Sequence, residues 1–469
     1  MNGRLGRRAA TEGVKRRRRV RGPSMLDIRI LRDEPERVRA DLGKRGRPTD
    51  VVDGVREHDR RWREGLQRLN TMRAERNAAA KAISEVKKRG GDAGTEIRAM
   101  GEVAAEIKRL EDEVQAAEAE RDRLLRSLPN LMHPGVPVGR DDADNVELRR
   151  WPEGEPPRHA FAAVSHVDLL ESLDVADLER AARAAGARFY YLKNDLVLLG
   201  RALEFFALRM LAERGFTPVE PPYMLRREAI EGAVDLADFE DVIYRVETEG
   251  DEPSLYLIAT SEHPLAALHM GEILPSSRLP LRYAGVSPCF RKEAGAHGKD
   301  TKGIFRVHQF SKVEMFVYCR PEDSWTIHEE LIGNAEAVFQ ALGIPYRVVD
   351  ICTGDLGTVA ARKYDIEAWM PVQGAYREVV SCSNCTDYQA RRYNTRHRAD
   401  PGDPTEPVHT LNSTAVAVQR TLVAILENFQ DEDGSVTVPE VLRPYLGGKE
   451  RIVPAAGAKT KAQDDPPGP

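Results

Sequence analysis

The sequence predicts an α+β protein: a long antiparallel helical hairpin followed by a larger domain in which helices and strands mix. Three observations predict it. Apolar residues recur every three or four positions from about 50 to 89 and again from 95 to 127, with Arg89-Gly90-Gly91-Asp92 between the two runs. Pro129 and a Pro-, Gly- and Asp-rich stretch to about residue 158 end that pattern. From about 170 to 448, short strand-like runs are interleaved with amphipathic helical ones.

Residues 1–24 hold nine Lys or Arg against Glu12 alone and lack an apolar stretch, which excludes a secretory signal peptide. This stretch is expected to be a basic disordered extension, or translation from upstream of a true start at Met25, ahead of a targeting presequence or a basic nucleic-acid tail. The stretch 25–128 is expected to form an N-terminal helical arm. In its second helix Ile97, Met100, Val103, Ile107, Leu110, Val114, Ala117, Leu124 and Leu128 form one stripe, interrupted only by Arg121. The first has a weaker stripe through Val55, Trp62, Leu66, Leu69, Ile83 and Val86. Two single-stripe helices with a short link fold back on each other, and at about 1.5 Å per residue each arm reaches roughly 50 Å, too far to lie on a globular core. Residues 56–89 carry eleven Lys or Arg and five acids, and residues 95–127 six and nine. That asymmetry suits either a solvated coiled coil or a flank that follows a phosphate backbone.

Residues 129–170 read as a linker, 171–449 as the main domain and 450–469 as a disordered tail. Within the main domain a helix is expected over Leu196–Arg214, ending at Gly215. Strands are expected near Leu255–Ala259, Leu281–Phe290, Arg306–Tyr318, Tyr346–Asp350 and Tyr376–Ser381, and a last helix over Ala415–Gln430.

Over 469 residues the chain is 41% hydrophobic and 31% charged, with no apolar run long enough to span a membrane. A net charge of -5 excludes a uniformly basic polyanion binder, so nucleic acid would need a local patch. Five scattered cysteines fit a reducing, cytoplasmic setting better than a disulfide framework. The Cys382-x-x-Cys385 pair, with no second pair or His at ligand spacing, reads as two small residues beside a sheet rather than a zinc or redox site.

The chemistry is concentrated between residues 290 and 314. Alternation along strands puts Arg291 and Glu293 on one face, and Arg306, His308, Phe310 and Glu314 on one face, with Val307, Val313 and Val317 on the other. So many charges on one sheet surface need partners or a charged ligand. An Arg can fork onto phosphate and a Phe offers a flat face to a purine. The connecting loop Ala294–Phe305, with Gly295, His297, Gly298, Lys299, Lys302 and Gly303, suits a cationic lid. Neither G-x-G-x-x-G nor G-x-x-x-x-G-K-[ST] occurs, so any nucleotide is held without the two commonest phosphate loops.

Phe290-Arg291-x-Glu293, a loop, then Arg306-x-x-x-Phe310-x-x-x-Glu314 resembles motif 2 of the class II aminoacyl-tRNA synthetases. Thr260-Ser261-Glu262, the Val307-to-Glu314 run, Glu378-Val379-Val380-Ser381 with Cys382-Ser383-Asn384, and Leu411-Asn412 leading to Arg420 resemble the seryl-tRNA synthetases in particular, from Met25 to about Gly448. The resemblance implies an antiparallel catalytic sheet flanked by helices, a homodimer (Pro221-Pro222 falling at the motif 1 position), and an arm that contacts tRNA(Ser). It implies ligation of L-serine to tRNA(Ser), and by extension tRNA(Sec), with ATP and Mg²⁺. Arg291 would neutralise the α-phosphate and Phe310 stack on adenine, with Lys292, Glu293, Val307, Val379 and Val380 also at the ATP. Arg420 would reach the γ-phosphate, and Glu378 with Ser381 would hold Mg²⁺, although strand parity puts 378 and 381 on opposite faces unless a bulge intervenes. Thr260, Ser261, Glu262, Glu314 and Thr414 would surround serine. Taken singly, Thr260-Ser261-Glu262 also reads as a helix cap and His308 as a structural hydrogen-bonding residue. Ser413-Thr414-Ala415 and Gln419 depart from the Gly-Ser-Gly and Gly of many bacterial members, which bears on serine affinity.

The resemblance leaves room for a duplicate enzyme in a biosynthetic or resistance role. A carrier-protein ligase related to the catalytic domain would lack the arm, and a non-catalytic paralogue would typically lack the phosphate-binding arginines that Arg291 and Arg420 match.

Overall fold

The computed structural model describes residues 26–234, 239–250, 252–293 and 302–454, so the basic stretch 1–24 and the lid residues 294–301 lie outside the described residues. Helices α1 (Asp50–Lys88) and α2 (Gly94–Ser127) form the expected hairpin. Leu69, Ile107, Leu110 and Val114 make its buried seam, flanked by Trp62, Met72 and Val103. Gly65 sets the approach of the helices, since a Cβ there would meet Val114 Cγ2 at 2.7 Å. The stripe is not buried to the tip: Ile97 is 45% exposed. The opposing stretch of α1 there reads Ala78-Ala79-Ala80-Lys81-Ala82, and alanines cover little of a facing side chain.

Arg121, the interruption in the stripe, has a structural role. Its guanidinium lies 4.5 Å from the centre of the Trp62 ring and 3.8 Å from Asp59. Asp59 accepts two hydrogen bonds of 2.7 Å from Arg32 and one of 3.0 Å from Arg63. At the root, Leu26, Leu31, Val38, Leu42, Val52, Val55, Leu125 and Leu128 pack with Tyr388 of the main domain, whose hydroxyl donates to the Leu128 carbonyl at 2.8 Å.

The main domain is built on eight strands: β1 (Val146–Trp151), β2 (Thr217–Val219), β3 (Leu281–Phe290), β4 (Gln309–Cys319), β5 (Tyr346–Asp350), β6 (Arg362–Met370), β7 (Ala375–Thr386) and β8 (His409–Ala417). They lie in the order β1-β5-β6-β7-β8-β4-β3-β2. Every neighbouring pair is antiparallel except the edge pair β2–β3. Helices α3 (Asn194–Glu213), α4 (Ser324–Leu342) and α5 (Val418–Asn428) contribute to one apolar core with the sheet, including Val313, Met315, Val317, Ile366, Val380 and Leu411. Among the described residues no helix is long and apolar enough to cross a membrane.

Three expectations change. The segment read as a linker supplies β1, which covers the free edge of β5, because an unpaired edge strand recruits any chain that can satisfy its backbone. Its Asn130 is also buried, donating to the carbonyls of Val359 and Cys385 at 3.0 and 2.8 Å. The tail is anchored at its start, where Arg451–Ile452 pairs with Val436–Thr437 and Ile452 is buried; residues 455–469 lie outside the described residues. The last helix begins only at Val418, since residues to Ala417 belong to β8.

Candidate active site

On the face of the sheet opposite α3–α5, a cavity of about 390 Å³ opens among β3, β4, β7, β8 and the start of α5, within the range that small-molecule sites occupy. Parity explains why β4 serves both faces: Val313, Met315 and Val317 enter the core, while Phe310, Lys312 and Glu314 line the cavity. Parity does not extend to Arg306 and Val307. They precede the strand, which starts at Gln309, and both line the cavity.

Arg291 and Phe310 stand together, the guanidinium 5.2 Å from the ring centre. Arg291 Nε donates to the Ala259 carbonyl at 3.3 Å, and its own backbone N–H donates to the His308 carbonyl at 2.9 Å. His308 Nδ1 is 2.9 Å from the Arg291 carbonyl, which can only accept, so Nδ1 carries the proton and the residue acts structurally. Arg306 Nε is 3.7 Å from Glu293. At the start of α5, Arg420 Nη1 donates to the Glu378 carbonyl of β7 at 2.9 Å and lies 3.3 Å from Glu378 Oε1, with its guanidinium 5.1 Å from the centre of the Phe305 ring. Desolvation by the surrounding sheet would raise the Glu378 carboxyl, but Arg420, Lys363 and Arg291 outweigh it and hold the group below the usual range.

Glu378 and Ser381 both line the cavity because β7 has the bulge that strict alternation lacks. Ile366 pairs with Val380 and Glu367 with Glu378, leaving Val379 as the extra residue. A second irregularity, in β8, sets Thr414 opposite Glu314. Thr414 Oγ1 donates to Glu314 Oε2 at 3.1 Å, and Lys312 Nζ reaches the same oxygen at 2.6 Å.

Thr260 caps and lines at once: its Oγ1 accepts from the Glu262 backbone N–H at 3.1 Å, and its side chain borders the cavity. The short helix Glu262–Ala267 seats against β3 at Gly285, where a Cβ would meet Leu265 Cδ1 at 2.8 Å and Ser261 Oγ at 2.9 Å. Glu262 Oε1 accepts from Gln389 Nε2 at 2.7 Å and Asn412 Nδ2 at 3.1 Å. Its recessed position, then the nearby Glu314, push its carboxyl up to about 7, although Lys312 pulls the other way.

Of the residues assigned from the sequence to ATP, Mg²⁺ or serine, Thr260, Glu262, Arg291, Glu293, Val307, Phe310, Glu314, Glu378, Val379, Ser381, Thr414 and Arg420 line this one cavity. Three do not. The Ser261 hydroxyl is buried and donates to the Gly285 carbonyl at 3.3 Å. The Val380 side chain enters the core on the other side of β7. Lys292, alternating with Arg291, is outside the lining, and its backbone N–H donates to the Val242 carbonyl at 3.0 Å. Cys382 and Cys385 fall on opposite faces of β7, Cys382 in the core and Cys385 at the cavity. Sequence reasoning passed over Lys312, Phe305, Gln389 and the wall Leu356–Ala360. Parity with Glu314 could have found Lys312; the others come from separate segments with no local signal.

Two family models match the chain in order. The seryl-tRNA synthetase N-terminal domain covers residues 25–132, and the tRNA synthetase class II core domain (G, H, P, S and T) covers residues 244–429. A serine–tRNA ligase of Methanocella arvoryzae is 53% identical over 432 residues, 91% of this chain and 100% of its own length. The crystal structure of seryl-tRNA synthetase from Pyrococcus horikoshii complexed with ATP matches with a TM-score of 0.86 at 53% identity, over 92% of this chain and 100% of that one. The cytoplasmic serine–tRNA ligase from Naegleria fowleri in complex with AMP matches with a TM-score of 0.83 at 37% identity, over 92% and 99%. Arm, antiparallel sheet and relatives this similar over nine-tenths of the chain agree: the protein belongs to the seryl-tRNA synthetases, the class II aminoacyl-tRNA ligases that join serine to tRNA.

Proposed function

We propose that this one cavity activates L-serine with ATP to seryl-adenylate and passes the seryl group to tRNA(Ser), with tRNA(Sec) as a further acceptor. The observation that carries the reading is the convergence of Arg291, Glu378 and Arg420 with Glu262, Glu314 and Thr414 around a single cavity. The serine carboxylate attacks the α-phosphorus and pyrophosphate leaves; a ribose hydroxyl of tRNA then attacks the acyl carbon and AMP leaves. No covalent enzyme intermediate is needed, so catalysis rests on positioning and on charge set in place beforehand.

Arg291 neutralises the α-phosphate and Phe310 stacks on adenine, with Glu293, Val307 and Val379 beside it. Arg420 takes the γ-phosphate. Glu262 receives the serine ammonium, while Glu314 and Thr414 read the hydroxyl. A site built around a hydroxyl rejects alanine, because its own polar groups would be left unpaired. Glu378 and Ser381 present hard oxygens on one face of β7, a donor set that fits Mg²⁺ completed by phosphate and water. When bound, that ion would add positive charge against the phosphates.

The arm's cations support a tRNA role. Arg68 and Arg73 of α1 are tied to Glu106 and Glu111 of α2 at 3.2 and 2.6 Å. Lys81, Lys87 and Arg89, toward the tip, make no ion pair among the described residues and remain available to a phosphate backbone. A homodimer in the cytoplasm completes the reading.

The test is ATP–pyrophosphate exchange with each amino acid in turn. Exchange with serine and not alanine is expected, and Arg291→Ala should lower it by about a thousandfold, the cost of removing a preorganised charge at the reacting phosphoryl group. Unchanged exchange in that variant would remove Arg291 from its role.

A further inference from the structure

Three protein charges in the cavity bear on how serine lies. Lys312 precedes Glu314 by two residues on the same face of β4 and is only 6% exposed. Its Nζ is 2.6 Å from Glu314 Oε2, the oxygen that also takes the Thr414 hydroxyl at 3.1 Å. Glu262 is treated differently. Its Oε1 accepts from the neutral amides of Gln389 and Asn412, and no cation pairs with it among the described residues. Gln389 is itself held by Thr410, whose Oγ1 donates to Gln389 Oε1 at 2.8 Å.

We infer that Lys312 is a specificity-determining positioning residue: by neutralising Glu314 it reserves that carboxylate for a hydroxyl and leaves Glu262 as the anion that takes the substrate ammonium. The inference rests on the serine-site reading above. With Lys312 in place, an ammonium brought to Glu314 would share one carboxylate with a second ammonium, and like charges in a recessed site repel strongly. Without it, Glu314 is an uncompensated recessed anion that favours a second cation. The orientation of serine, ammonium to Glu262 and hydroxyl to Glu314, therefore depends on a lysine that need not touch serine.

The discriminating substrate is 2,3-diaminopropionate, which has an ammonium where serine has its hydroxyl. Exchange is measured on the full chain with both amino acids at one neutral pH, where the side-chain amine of diaminopropionate is protonated. Lys312→Met should lower kcat/KM for serine about tenfold and raise the diaminopropionate-to-serine ratio about a hundredfold, changes of the size that one misplaced polar group produces in a specificity site. Lys312→Arg should keep the original ratio, and Lys312→Met combined with Glu314→Gln should lose the gain, because the free anion is gone. A loss with serine at an unchanged ratio would overturn the inference and leave Lys312 a structural residue. Absence of serine exchange in the unaltered protein would instead overturn the site reading. An ATP-dependent rise in melting temperature reports folding of each variant; if Lys312→Met fails that check, Lys312→Gln carries the same comparison.

Discussion

Asp59 at the root of the arm and Glu262 in the catalytic cavity are both recessed carboxylates, and their surroundings drive them in opposite directions. Burial raises Asp59, but Arg32 and Arg63 overcome that and hold it below its usual value. Glu262 has only amide donors on Oε1 and another carboxylate nearby, and it is pushed up to about 7. The two regions thus divide the work. The arm compensates its buried charge internally, as a rigid element must. The cavity leaves one carboxylate short of a cation, which on the reading above is the substrate's ammonium.

The strongest way to separate the regions is to shorten the arm while keeping its root. Gly65 faces Val114 and Arg121 faces Asp59, so residues 70–109 form the distal part of the hairpin in that register. Replacing 70–109 with a short turn should leave serine-dependent exchange unchanged and lower tRNA(Ser) charging about a hundredfold, the size of effect that losing several phosphate contacts gives. Equal loss of both activities would show that the two regions are not separable.

Proton linkage in the cavity should give the next effect. Glu262 must be ionised to pair with an ammonium, and burial together with the nearby Glu314 pushes its carboxyl up to about 7. Below that value serine must displace a proton, so KM for serine should rise up to about tenfold per pH unit between pH 7 and pH 5. A KM that stays flat to pH 5 would remove Glu262 from the ammonium site. The arm should respond elsewhere. The folded pKa of Asp59 is depressed, so its stabilisation is complete above about pH 4, the unfolded value, and is lost as pH falls through the lower folded value.

The smallest effect is expected from Asp59→Asn. Breaking a fully buried ion pair costs about 3–5 kcal/mol. Here the partners Arg32, Arg63 and Arg121 are 31%, 52% and 12% exposed, so water takes up part of the loss. A destabilisation of about 1–2 kcal/mol in denaturant melts is expected, with serine exchange unchanged. A change in exchange would show that the arm's root and the cavity are energetically coupled.

The hairpin was legible almost to the residue because its signal is local: a 3-4 stripe with a glycine turn needs no knowledge of the rest of the chain. The site was legible as a set of residues through joint motif order, and parity along β4 sorted Val313 and Val317 from Phe310 and Glu314 correctly. Parity misread Val307, which lies before the strand begins, and could not see the bulge at Val379 that brings Glu378 and Ser381 to one face. Nor could it see that Ser261 is turned under the site by its bond to Gly285. The linker reading failed for a related reason, since β1 exists only because β5 offers it an edge.

Helical period, turn residues and strand alternation are encoded over a few neighbouring positions, so the hairpin, the central strands and the residue types available for the chemistry were readable along the chain, whereas β1 was not. Which of those residues share a cavity, and how they are charged there, follows from the packing of the sheet. Gln389, Asn412 and Glu262 meet from three distant segments, and Lys312 and Thr414 converge on one oxygen of Glu314 from adjacent strands. The pairing of partial and full charges in a recessed site depends on distances of a few ångströms across the sheet, and spacing along the chain does not record them.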